Sequence, residues 1–111
     1  MIKRVLLPAL LSATLVYPAP AEETKVPVQM TGIGGMSCAH WHSAQARRSE
    51  GVTWIYGFWT ALNYVAAASQ QKQSKVDSTA IVAEVEKACA QRPSQVLANA
   101  VWNSYLALDK R

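Results

Sequence analysis

Three observations predict an all-α fold, a small four-helix domain pinned by one disulfide. Apolar residues recur at helical spacing in successive segments, no β-branched alternation is long enough for a strand, and the 111-residue chain holds two cysteines, Cys38 and Cys89.

The segment before the helices has the pattern of an export signal. Lys3 and Arg4 give a positive start, residues 5–16 are apolar apart from Pro8 and two hydroxyls, and Ala19-Pro20-Ala21 is a small-x-small site, so cleavage is expected after Ala21. The apolar stretch is too short to span a bilayer, which argues against an uncleaved anchor. Residues 1–21 are read as signal peptide and the periplasm as the destination, with no membrane association after cleavage. Lysine and arginine number 11 against 7 acidic residues, a net charge of +4, and two of those cations leave with the leader. The others are scattered without a basic stripe, which together with export argues against a nucleic-acid partner.

Residues 22–36 contain Pro27, Gly32, Gly34 and Gly35 without a sustained apolar period, and read as a flexible N-terminal arm that adds little to the core. The helical domain is then 37–111. Ser37 is the expected N-cap of a first helix over about 38–47, which stops before the turn-like Ser49-Glu50-Gly51. Thr53 caps a central helix over about 54–69, with Trp54, Phe58, Leu62 and Val65 on one stripe and Ile55, Trp59 and Ala66 broadening it. Gly57 and Ala61 strip one line of this helix of bulk and predict the close approach of a neighbouring helix, because an exposed helical glycine costs about 1 kcal/mol against alanine.

Residues 70–75 have no apolar member and read as a solvated helix end and loop. Asp77 or Ser78 caps a third helix to about Ala90, in which Ile81, Val85 and Cys89 fall on one inward line. Arg92-Pro93 ends it. Ser94 caps a fourth helix to about Leu108, with Leu97, Val101, Tyr105 and Leu108 inward and Trp102 and Leu106 flanking. Asn63 lies among apolar neighbours and is expected to bond to backbone near a helix end or turn.

In an oxidising compartment the two cysteines form one bridge. They lie 51 positions apart, and closing such a loop stabilises a small domain by roughly 4 kcal/mol in the chain-entropy model. The competing reading is two free thiols or metal ligands, but no Cys-x-x-Cys spacing suggests it. Cys38-Ala39-His40-Trp41-His42 is the best reactive cluster, yet two histidines make an incomplete metal site and helical geometry separates residues two apart. Gly32-x-Gly34-Gly35 lacks the preceding strand and the downstream lysine and hydroxyl of a phosphate loop. No catalytic residue, cofactor or metal is expected, and the chain reads as no enzyme. Aromatics are plentiful, and one stripe cannot bury them all. Trp54, Phe58 and Tyr105 fit the core, while Tyr56, Trp59 and Tyr64 are the candidates for a second face that binds a partner.

The succession Cys38, Trp54-x-x-Gly57-Phe58-x-x-Ala61-Leu62-Asn63, Asp77, Val85-x-x-x-Cys89 and Pro93-x-x-x-Leu97 resembles the HdeA/HdeB superfamily of small exported helical proteins, over about 38–106. The resemblance implies a helical fold, a periplasmic location, no enzymatic activity and a Cys38–Cys89 disulfide. It also implies an acid-stress chaperone, a dimer at neutral pH that dissociates and partly unfolds in acid and holds denaturing protein clients in solution. Such a switch works when protonated carboxylates leave a strongly positive chain. The alternative is a constitutive periplasmic binding module, such as an immunity protein that neutralises a secreted toxin, with exposed aromatics as its hot spots.

Overall fold

A computed structural model describes residues 26–108; the leader with its expected cleavage site, the start of the arm and the last three residues lie outside the described residues. The described residues form a 3-10 turn, Ile33–Gly35, and four α-helices, α1 Cys38–His42, α2 Gln45–Ala68, α3 Ser78–Gln91 and α4 Leu97–Leu108. The small all-α, disulfide-linked fold is as the sequence predicts, with no strand among the described residues. None of these helices is long and apolar enough to cross a membrane.

α1 is short because its ends are engaged elsewhere. Ser37 caps it as expected, its hydroxyl accepting from the His40 amide at 3.1 Å. The Cys38 and Ala39 amides, which a helix start leaves without intrahelical acceptors, donate to the Gln95 and Pro93 carbonyls at 2.9 Å. The Leu97 amide donates to the Met36 carbonyl at 2.8 Å, and Ser37 and Val96 form an antiparallel bridge. Residues 93–96 are therefore used in stitching the α3–α4 connection to the start of α1, so α4 begins at Leu97 and Ser94 is not its cap. At the other end the Ser43 hydroxyl donates to the His40 carbonyl at 2.6 Å and Ala44 is extended, so α1 stops at His42 rather than near residue 47.

α2 starts nine residues before the expected position, and Ser49-Glu50-Gly51 is helical rather than a turn. The glycine serves a close approach: a Cβ on Gly51 would stand 2.2 Å from Cδ1 of Trp41, whose indole N–H donates to the Arg48 carbonyl at 3.0 Å. This contact sets the rotation of α2. Its buried line is Gly51, Ile55, Trp59 and Ala66, about one residue round from the expected stripe; Trp54, Phe58 and Leu62 are half-buried beside it, and Val65 is exposed. Gly57 and Ala61 face solvent, and nothing lies within 4 Å of a Cβ built on Gly57, so the helix approach expected there is absent.

The second half of the arm also departs from expectation. Ile33 and Gly34 are buried, the six-membered ring of Trp54 lies against Gly34 so closely that a Cβ would sit 1.9 Å from Cζ2, and the Trp54 indole N–H donates to the Thr31 carbonyl at 2.9 Å. Residues 31–36 belong to the folded domain, and the glycines admit the indole instead of providing slack.

At its C-terminus α2 closes with a left-handed Gln70: the Gln71 amide reaches the Ala66 carbonyl at 2.7 Å and the Gln70 amide reaches Ala67 at 3.1 Å. Asn63 then clamps the following loop. It exchanges two bonds with the Ser74 backbone, at 3.1 and 2.8 Å, and accepts from the Tyr105 hydroxyl at 2.9 Å, joining α2, the loop and α4. Ile81, Val85 and Cys89 of α3 and Leu97, Val101, Tyr105 and Leu108 of α4 complete the core as expected. Trp59 meets Tyr105 edge to face, with ring centroids 4.9 Å apart.

Candidate functional site

Cys38 and Cys89 form the disulfide, fully buried, with their Cα atoms 5.4 Å apart. The bridge joins the first turn of α1 to the last turn of α3. Beside it is a polar latch between α2 and α3. The Arg48 guanidinium lies 5.3 Å from the Trp41 ring centroid, on the residue whose carbonyl the Trp41 indole binds, and pairs with the Glu86 carboxylate of α3. His42 stacks on the same Trp41 ring, with centroids 4.5 Å apart. Burial against that ring, and then the charge of Arg48, lower the His42 pKa from its usual 6.5. His40, the other histidine of the sequence cluster, is half-buried, and the described residues contain no group of three or more His, Cys, Asp or Glu placed to hold a metal ion.

The first half of α3 is anchored differently from the second. Its N-cap is Asp77, whose carboxylate accepts from the Ala80 amide at 3.0 Å. Between this cap and the Glu86 pair, the seam with α2 is open to solvent on both sides of Tyr56. One depression, of about 420 Å³, is lined by Val52, Thr79 and Val82, and the other, of about 280 Å³, by Trp59, Asn63, Val76 and Ile81. Two buried side-chain atoms, the Trp59 indole nitrogen and the Ser74 hydroxyl, have no hydrogen-bond partner among the described residues.

The three aromatics expected on a partner-binding face divide. Tyr64 is 78% exposed and Tyr56 lies in the α2–α3 seam at 37%, whereas Trp59 is 3% exposed and belongs to the core. Trp59 is corrected for the same reason as the stripe: the Gly51 contact turns its position on α2 inward.

A second surface, between α2 and α4, escaped the sequence reading. Val65, Trp102 and Leu106 are 61%, 43% and 40% exposed and, with half-buried Leu62, surround a depression of about 140 Å³ that has Lys72 on its rim. Its signal in the sequence is the distribution of charge. Residues 51–71 and 93–108 contain no charged side chain, so α2 beyond its second turn and all of α4 present neutral walls. The chain matches no protein-family model, no curated protein and no solved structure.

Proposed function

We propose that this protein is an exported, non-enzymatic holdase of the acid-stress type, which keeps unfolding periplasmic proteins in solution. The observation that carries the reading is the anchorage of α3. A carboxylate cap, Asp77 on the Ala80 amide, holds its first half, whereas its second half carries both the Glu86–Arg48 pair and the Cys89 disulfide. On this reading a low-pH environment weakens the attraction of the cap to the positive end of the helix dipole and the hold of α3 on Arg48. Protonation of His42 adds a positive charge next to Arg48. The α2–α3 seam then opens from the Asp77 end and bares Ile55, Trp59, Ile81 and Val85 to an apolar client, while the bridge retains the rest of the core. The leader supplies the address, and the oxidised cysteines suit that compartment.

The test is a pair of titrations between about pH 7 and about pH 2, one of apolar-dye fluorescence and one of client light scattering with the oxidised protein present. The holdase reading expects dye fluorescence to rise and client aggregation to fall over the same pH interval. Dye fluorescence that stays flat, or client aggregation unaffected by the protein across the range, contradicts it.

A further inference from the structure

We infer that the α2–α4 surface docks an amphipathic helix of a partner protein, one with an apolar ridge along its length and carboxylates at the end that meets Lys72. This docking belongs to the folded protein at neutral pH and does not depend on the acid-opened seam.

The walls decide the shape of the occupant. Both are α-helices whose backbone groups are already paired along their length, so an extended segment laid between them finds no sheet edge and leaves its own N–H and C=O groups without protein partners. A helix brings its backbone bonds with it and needs only side-chain packing. The depression among Leu62, Val65, Trp102 and Leu106 takes one large aliphatic side chain. Trp102 and Leu106, one turn apart on α4, form one wall of it and exposed Val65 of α2 the other. α4 spans about 18 Å, which matches roughly three turns of a partner.

Charge decides its chemistry. Between Gly51 and Val76 the charged residues are Lys72 and Lys75, both cationic and both in the loop that follows α2, with Lys72 on the rim of the depression. A second copy presenting the same face brings a lining without a carboxylate against Lys72, so self-pairing of the two depressions gives that lysine no partner from the opposing walls. A lipid surface calls for cations around the apolar patch, whereas here they lie at one end. An acidic end on a helical ligand satisfies this polarity and fixes its direction.

Two fluorescent helical peptides of about 15 residues, with the same leucine ridge and either glutamates or lysines at one end, test this against the oxidised protein at neutral pH. The glutamate peptide is expected to bind with Kd below about 100 μM, and Leu106→Glu and Trp102→Ala each to weaken it about tenfold or more. Lys72→Glu is expected to reverse the preference between the peptides. All three positions are solvent-facing, and an unchanged far-UV spectrum confirms that each variant is folded. Neither peptide binding at about 1 mM, or binding indifferent to Leu106→Glu and Trp102→Ala, overturns the proposal. So does co-sedimentation with phosphatidylcholine–phosphatidylglycerol vesicles that Leu106→Glu abolishes while the two peptides bind alike, because the surface is then a lipid site.

Discussion

The C-terminal end of α3 is fixed by a covalent bond to α1, and the neighbouring α3–α4 connection is stitched to the same short helix by two backbone hydrogen bonds, with a third from Leu97 to Met36 just before it. The N-terminal end of α3 depends on an aspartate cap beside a seam with open depressions, and the ion pair of Glu86, whose members are each roughly one-third exposed, lies between that seam and Cys89. The difference separates two kinds of restraint in one helix. The Cys38–Cys89 bond is indifferent to protonation, whereas the restraint at the other end of the helix is a carboxylate cap.

The largest effect expected is from breaking the corner. Cys89→Ser removes the bridge and is expected to lower unfolding stability by roughly 4 kcal/mol, read as a drop in the urea midpoint of the non-reduced protein. An unchanged midpoint would mean that the backbone stitching suffices alone. Next is Gly51→Ala, which forces the Trp41 indole off its seat on α2 and is expected to cost about 1–3 kcal/mol by the same assay. Stability equal to wild type would show that α1 and α2 adjust freely.

Gly57→Ala separates propensity from packing. Since the glycine is exposed with open space around it, alanine is expected to stabilise the protein by about 0.5–1 kcal/mol, whereas a loss would mean that something covers that face. Glu86→Gln removes the charge of the latch. At neutral pH the expected cost is below about 1 kcal/mol, because the pair is solvent-screened, but the fall in stability on acidification is expected to become shallower than in wild type. A pH profile parallel to that of wild type contradicts a role for this pair. His42→Gln has the smallest effect. With its folded pKa lowered by burial and by Arg48, the unfolded chain binds the proton more tightly, so the histidine's contribution is intact above about pH 6.5 and is lost as pH falls through the lowered folded value. Removing it is expected to flatten that part of the profile and leave the plateau at higher pH unchanged.

The sequence-derived expectations succeed where one helix carries its own pattern. The inward line of α3, the inward line of α4, the Ser37 and Asp77 caps, the disulfide and the backbone role of Asn63 are all legible from spacing and residue chemistry. They fail where glycine meets tryptophan. Gly34 and Gly51 read as linker and turn because the indoles of Trp54 and Trp41 that fill their missing side chains are remote or separated by a chain reversal. Misplacing the start of α2 then shifts its buried line and sends Trp59 to the wrong face. The Arg48–Glu86 latch joins residues 38 positions apart and has no local signature. The α2–α4 surface is partly legible, since its two charge-free stretches are visible in the sequence, but their adjacency requires the fold.

Hydrogen exchange resolved along α3 tests the central claim most directly. In the oxidised protein, between about pH 7 and about pH 3 and after correction for intrinsic exchange rates, amides of 80–85 are predicted to lose protection before those of 87–91 and of α4. Loss of protection at one pH throughout α3 and α4, or first in the turn that carries Cys89, would contradict the division of this helix into an acid-released half and a covalently held half.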